Sequence, residues 1–198
     1  MAGVCMDEKS SSGSSEAAGS TEAEPAEAEG TARSERSEIM PCGIFVDEEG
    51  DWYHEGNRIV RDEIIELFFQ HLVLTSGERF LLEWENSRCL LDVADTPFVI
   101  SRVDLEKTGQ GEQVLLSFRH RASRHPLAPG TLWVGRANVL YCRVHDGRFR
   151  ARFSRPAYYQ FAALLREDDG RFFISLDGAR HFIREADPAG MPIIPAAC

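Results

Sequence analysis

Shifting the chain by 92 positions lays residues 79–91, RFLLEWENSRCLL, directly on residues 171–183, RFFISLDGARHFI. Three of the thirteen positions are identical (Arg79 with Arg171, Phe80 with Phe172, Arg88 with Arg180), and six pair apolar with apolar. The same shift matches Leu67 with Tyr159, Phe69 with Phe161, Leu72 with Leu164 and Val73 with Leu165 in the preceding helix-like stretches. A short hairpin can match by chance; a hairpin and its preceding helix together are harder to match by accident. The correspondence predicts two copies of one supersecondary unit, a duplication rather than a many-repeat solenoid.

The elements around each copy follow from local pattern. GIFVDEEGDWYHEGNRIV reads as short strands broken by turns at Glu49-Gly50 and Glu55-Gly56. In RDEIIELFFQHLVL, residues 61–74, apolar positions 64, 65, 68, 69, 72 and 73 have helical spacing, and Asp62 and Glu63 favour the positive end of the helix dipole. RFLLEW and RCLLDV form a hairpin, and PFVISRVDLE with QVLLSFRHR a second one around KTGQGE. VLYCRVHDGRFRARF gives two strands around Asp146-Gly147. SRPAYYQFAALLRE is a helix with Ser154 as N-cap and Pro156 in its first turn, ended by Asp168-Asp169-Gly170. Leu72 and Leu164 should then both be buried on helix faces. The expected fold class is α+β: two related modules, each of antiparallel strands plus one helix and a following hairpin, over residues 41–110 and 111–198.

Residues 1–40 differ in kind. They carry nine acids against three basic groups, contain no aromatic residue, and hold 6 of the 10 net negative charges. Such a segment cannot bury enough apolar surface to offset its ordering entropy, so a disordered acidic tail is expected. No apolar run approaches the length of a membrane span, and no secretory signal pattern opens the chain. The five cysteines, at 5, 42, 89, 142 and 198, show no paired metal-ligand spacing. Cys89 and Cys142 lie in apolar runs and read as inert core thiols. A reducing, cytoplasmic setting follows.

Catalytic patterns are missing. There is no G-x-S-x-G elbow and no G-x-x-x-x-G-K phosphate loop. Gly109 and Gly111 sit in a hairpin turn, and His120 with His125 flank a basic loop without an acidic neighbour in sequence. Glu83, Asp92 and Asp95 are carboxylates close in sequence, but DVADTP reads as a turn with Asp95 capping the chain before Pro97. No catalytic residue, metal site or cofactor is therefore expected, and the chain is read as non-enzymatic.

One surface stands out. From Arg119 to Arg155 there are nine arginines and a single acid, Asp146, in a chain whose net charge is −10. In RVHDGRFRARFSR, Arg148, Arg150 and Arg152 alternate with Phe149, Ala151 and Phe153, which in a strand puts three guanidiniums on one face. Like charges at that spacing repel unless carboxylates or an anion neutralise them. Under the 92-residue correspondence with one residue of slippage, Arg148 and Arg150 fall opposite Asn57 and Ile59, so they belong to the second copy alone. Arg148 and Arg150 are the first candidates for an anion site, with Arg136 and Arg143 behind them and Arg102 approaching from the first module. Arginine suits the task because its planar fork donates paired hydrogen bonds to phosphate or carboxylate. Internal salt-bridging of the same face is the competing reading; nucleic acid is disfavoured by the overall acidity and by the lack of evident stacking aromatics.

GDWYHEGNRIVRDEIIELFF, FLLEWENSRCLLDVADTPFVI, ARFSRPAYYQFAALL and GRFFISLDGARHFI together resemble the bacterial domain-of-unknown-function family 1285, over about residues 43–184. The resemblance implies a duplicated α+β architecture with a pleckstrin-homology-like second module. It also implies a ligand site between the modules, for a small anionic or nucleotide-like molecule in signal transduction. It supplies no reaction and no catalytic residues. The expected function is a ligand-binding or signalling-type module, with a protein partner allowed and a membrane excluded.

Overall fold

The structure, a computed structural model, describes residues 39–109 and 111–185. The expected acidic tail and the last residues of the second module lie outside the described residues.

Six strands form the first sheet: β1 (Met40–Val46), β2 (Trp52–His54), β3 (Asn57–Arg58), β4 (Leu72–Leu74), β5 (Phe80–Trp84) and β6 (Ser87–Val93), in the order β3-β2-β1-β6-β5-β4. Its pairs are antiparallel except β1 with β6. Helix α1 (Asp62–Gln70) connects β3 to β4. The second sheet uses β7 (Phe98–Thr108), β8 (Gly111–Phe118), β9 (Arg124–Pro126), β10 (Trp133–Val134), β11 (Leu140–Val144), β12 (Phe149–Phe153) and β16 (Arg184–Glu185), ordered β16-β10-β11-β12-β7-β8-β9. Between β12 and β16 come helix α2 (Arg155–Ala162) and a separate antiparallel sheet, β13 (Arg166–Asp168), β14 (Arg171–Leu176) and β15 (Ala179–Phe182).

Both helices are shorter than their periodicity suggests. On α1 the buried residues Ile65 and Phe69 are four apart, and the helix ends where the His71 N–H bonds the Phe68 carbonyl. Leu72–Leu74 then becomes β4 and pairs with Phe80, Leu81 and Leu82 of β5, Leu72 opposite Leu82. An apolar Leu-Val-Leu run fits helical spacing and strand alternation alike, so the sheet edge beside it decides. Leu72 is buried as expected, but on a strand. In α2, Ser154 caps as expected, its Oγ accepting the Ala157 N–H at 3.4 Å, while Pro156 occupies the first turn. The helix stops at Ala162, Leu164 is half-buried in the turn beyond it, and Arg166–Asp168 pairs with β14 instead of continuing the helix.

The order of a helix followed by a three-stranded antiparallel meander occurs twice, as α1-β4-β5-β6 and as α2-β13-β14-β15. The settings differ: the first meander joins the larger sheet through β6 and β1, while the second stands as its own sheet. The expected boundary at residue 110 falls between β7 and β8, and both strands belong to the seven-stranded sheet.

Phe98, at the start of β7, is the centre of the core. Its ring lies 5.0 Å from Phe69 of α1, 4.9 Å from Phe149 of β12 and 6.0 Å from Phe118 of β8. Fully buried Trp52 extends this cluster into the first sheet, 5.3 Å from Phe69 and 5.7 Å from Phe68. The β1–β2 turn closes onto β7 at Gly50, where φ is +82° and an added Cβ would lie 2.7 Å from Val99. A side chain there would be strained twice, by backbone and by space.

Cys42 and Cys89 form a disulfide joining β1 to β6, which corrects the reading of Cys89 as a core thiol. The two are 47 residues apart in sequence and come together only through the parallel β1–β6 pairing. The bridge also withdraws the cysteine-based argument for a reducing compartment. Among the described residues, Cys142 is the free cysteine, and it is buried. Reduction should lower the unfolding free energy by about 2–4 kcal/mol, given the long loop closed. Denaturant titrations with and without dithiothreitol measure this, and coincident curves would show that the bridge adds no stability.

Candidate functional site

The β11–β12 hairpin divides its side chains by alternation. Leu140, Cys142, Val144, Phe149, Ala151 and Phe153 are buried, while Tyr141, Arg143, Arg150 and Arg152 share the other face at intermediate exposure. Register sets Tyr141 directly opposite Arg152 and Arg143 directly opposite Arg150. Arg148 lies in the turn before β12, so the expected three-arginine strand face consists of two.

Asp95, in the link between β6 and β7, organises this face. Its Oδ1 is 3.1 Å from Arg150 and its Oδ2 is 3.1 Å from Arg152. The Tyr141 hydroxyl donates to Oδ2 at 2.8 Å, and Arg150 also donates to the Asp95 backbone carbonyl at 2.8 Å. With only 13% of its side chain exposed, Asp95 is a largely desolvated acceptor; Glu48, the second partner of Arg152 at 3.2 Å, is 59% exposed and contributes less. Burial and the Asp95 charge push the Tyr141 hydroxyl up to about 12, which keeps it a donor. Thr96, fully buried, donates its hydroxyl to the Arg150 carbonyl at 2.7 Å and locks the link onto β12. Asp95 thus does more than cap a turn.

The remaining candidates diverge. Arg143 has its guanidinium 5.9 Å from the Trp133 ring centre and donates to the Gly147 carbonyl at 3.4 Å. Arg148, exposed, lies over Phe149 at 5.4 Å. Neither makes an ion pair among the described residues. Trp133 stacks on Tyr141 at 5.4 Å, and its buried Nε1 has no acceptor among the described residues. Gly135 makes room for this, since a Cβ there would lie 2.7 Å from the Tyr141 ring. Arg136 is exposed in the short turn before β11, at the opposite end of that strand from Arg143, roughly 10 Å along it. Arg102 is engaged by Asp104 at 2.7 Å and is not brought to the Arg150 face by any contact. The structure therefore gathers Arg143, Arg150 and Arg152 on one face, leaves Arg148 in the turn with its guanidinium over Phe149, and leaves Arg136 and Arg102 apart.

A second polar cluster has no counterpart in local sequence pattern. Arg121, 12% exposed, lies over both the Phe69 and Phe98 rings at 5.1 and 5.8 Å and donates to His145 Nε2 at 3.0 Å. A guanidinium only donates, so His145 is the neutral Nδ1–H tautomer. Glu66 of α1 approaches Arg121 at 3.7 Å, and the His125 ring lies 4.5 Å from His145. His120 does have acidic neighbours in space: its Nδ1 donates to Asp62 at 2.7 Å, with Asp51 3.5 Å from Nε2. This cluster clamps α1 against the seven-stranded sheet. Among the described residues no group of three or more His, Cys, Asp or Glu is arranged to hold a metal ion.

Burial, with the neighbouring His125 and Arg121 charges, pushes His145 down to about 4, and burial with Arg121 also lowers His125. An unfolded imidazole titrates near 6.5, so the unfolded chain takes up protons first as pH falls. Stability is complete above about pH 6.5 and is lost on descending towards 4, by roughly 2–3 kcal/mol for His145. Unfolding free energies measured across that range should flatten in H145Q. A separate check is D95N, which leaves Arg150 and Arg152 sharing a neutral amide and should cost about 2–4 kcal/mol at pH 7.

No family model matches the chain, and no curated protein does. Solved structures do. A DUF1285 family protein from Silicibacter pomeroyi DSS-3 aligns with a TM-score of 0.60 and 21% identity, covering 77% of this chain and 81% of that one. A DUF1285 family protein from Shewanella baltica OS155 aligns with a TM-score of 0.52 and 18% identity, covering 62% and 91%. The chain therefore has the fold of the DUF1285 family structures, as the motifs in its sequence suggest.

Proposed function

We propose that this chain is a non-enzymatic binding module that takes a small, multiply charged anion, phosphate-bearing or nucleotide-like, on the β11–β12 face. One observation carries the reading. Arg143 stands directly across from Arg150 on the same face, with Arg148 at the adjoining turn, and neither Arg143 nor Arg148 has a carboxylate partner among the described residues. Two guanidiniums directly opposite one another repel, and an anion bridging them would relieve that repulsion. Trp133 offers a ring beside Arg143, and its N–H wants an acceptor. Asp95 and Glu48 reach this face from the β6–β7 link and the β1–β2 turn, which supports a site lined by both halves of the fold. Under this reading Arg150 orients, held by Asp95, while Arg143 and Arg148 bind. The family resemblance and the twice-occurring helix–meander order support a duplicated ancestry and a signalling role, with the pleckstrin-homology-type second module as part of the same expectation.

The structural reading is favoured by Asp95 itself, which satisfies Arg150 and Arg152 without any ligand. The double substitution R143Q/R148Q separates the two. On binding, thermal-shift titration with pyrophosphate and nucleoside di- and triphosphates should stabilise the native protein by about 2.7 kcal/mol at one hundred times Kd. R143Q/R148Q should lose that shift at unchanged basal stability, while R150Q should lose basal stability by stranding Asp95. No shift with any of these anions, together with a destabilised R150Q, would leave only the structural role.

A further inference from the structure

We infer that the outer edge of β7 is a docking site for a short extended segment of another polypeptide, which adds to the sheet as a strand and sets apolar side chains into the groove beside it. This site is remote from the arginine face and does not depend on it.

The edge follows from a mismatch in strand length. β7 runs eleven residues, but β12 pairs only with Phe98, Val99 and Ile100. From Arg102 to Thr108 its sole strand partner among the described residues is β8. In an antiparallel pair, the N–H and C=O of alternate residues point away from the partner strand. The Val103 N–H shows which residues these are, since it donates outward to Gln160 Oε1 of α2 at 2.8 Å. Leu105 and Lys107 have the same parity, so their backbone groups face the same open edge, and no bond to either is made from that side among the described residues. Gln160 closes the inner end of the edge; beyond it no strand pairs with the edge among the described residues. An unpaired edge is a ready template for strand addition.

Alongside the edge lies a cavity of about 200 Å³. Its apolar lining comes from Leu105 of β7, Val114 of β8, Leu164 and Leu165 after α2, and Ile174 and Leu176 of β14. Reciprocal bonds hold its mouth: the Glu112 N–H donates to Asp177 Oδ1 at 2.7 Å, and the Asp177 N–H donates to Glu112 Oε2 at 3.3 Å. This ties the tip of the β7–β8 hairpin to the β14–β15 turn, so the groove is formed before anything binds. At the rim Lys107 is paired with Glu112 at 2.6 Å, whereas Arg166 makes no ion pair among the described residues. Backbone donors and acceptors along one side, an apolar trough and one guanidinium without an ion pair among the described residues together fit an extended peptide. Its alternate side chains are apolar, and an acidic residue continues the same face.

The test uses the full chain and amide hydrogen exchange. In the protein alone, Leu105 and Lys107 should exchange fast while Asp104 and Glu106, bonded to β8, are protected. The probe is acetyl-Thr-Val-Thr-Val-Thr-Glu-amide, whose Val and Glu side chains share one face, compared with two versions N-methylated at alternate residues. At saturation it should slow exchange at Leu105 and Lys107 by at least about tenfold. One N-methylated version, blocked on the amides facing β7, should not bind, and the other should. R166E should weaken the Glu peptide several-fold and leave a Gln-terminated peptide unchanged. Four results would overturn the inference. They are slow exchange at Leu105 and Lys107 without peptide, which would mean the edge is already occupied; no protection at millimolar peptide; equal binding of both N-methylated versions; or octanoate competing for the groove while no peptide protects the edge.

Discussion

Everything in this fold leans on β7, a strand longer than either of its neighbours. From Ile100 to Thr108 it pairs with β8, but its parallel partner β12 covers only the first three residues. Parallel pairing needs a crossover, and here the crossover runs through β8 to β11 before the chain returns beside β7. That return brings Phe149 against Phe98 and closes the aromatic centre to which α1 delivers Phe69. The short overlap has a second result. Where β12 turns away into α2, the outer half of β7 is left with one edge unpaired among the described residues and a groove lined in part by Leu164 and Leu165, just past α2.

The same strand fixes the charged face. The link feeding β7 carries Asp95 and Thr96, and β7–β12 pairing holds that link beside Arg150 and Arg152. One largely buried carboxylate then meets two guanidiniums and a phenol. Such a node specifies geometry more than it adds stability, because desolvating the charges offsets much of their attraction. It also leaves the arginine count unbalanced: Arg143 faces Arg150 across the hairpin with only a carbonyl and a ring for company. Carboxylate-paired Arg150 and Arg152 and carbonyl-bonded Arg143 therefore sit side by side within one hairpin, set by the β11–β12 register.

Local pattern made much of this legible. The hairpins at residues 80–93, 98–118, 140–153 and 171–182 follow from alternation and turn residues, and the Ser154 cap from its chemistry. The helix ends were not legible, because Leu72-Val73-Leu74 and Arg166-Glu167-Asp168 suit a helix or a strand equally and pairing partners decided them. The arginine strip was visible as composition, but its division into paired and unpaired members was not. Asp95 lies 55 residues from Arg150, and no spacing rule connects them. The Arg121 clamp was hidden for the same reason, its partners coming from α1 and from the β11–β12 turn.

By itself the sequence determined the class of elements, their order, the concentration of arginine in the second half and the likeness to a known fold. These depend on periodicity, turn chemistry and charge, each readable within a few neighbouring residues. Tertiary structure alone decided which cysteines bond, which arginines are neutralised, and how far β12 accompanies β7. Each of those is a question of which distant segments become adjacent, and that is set by sheet order and register through the burial of one shared core around Phe98.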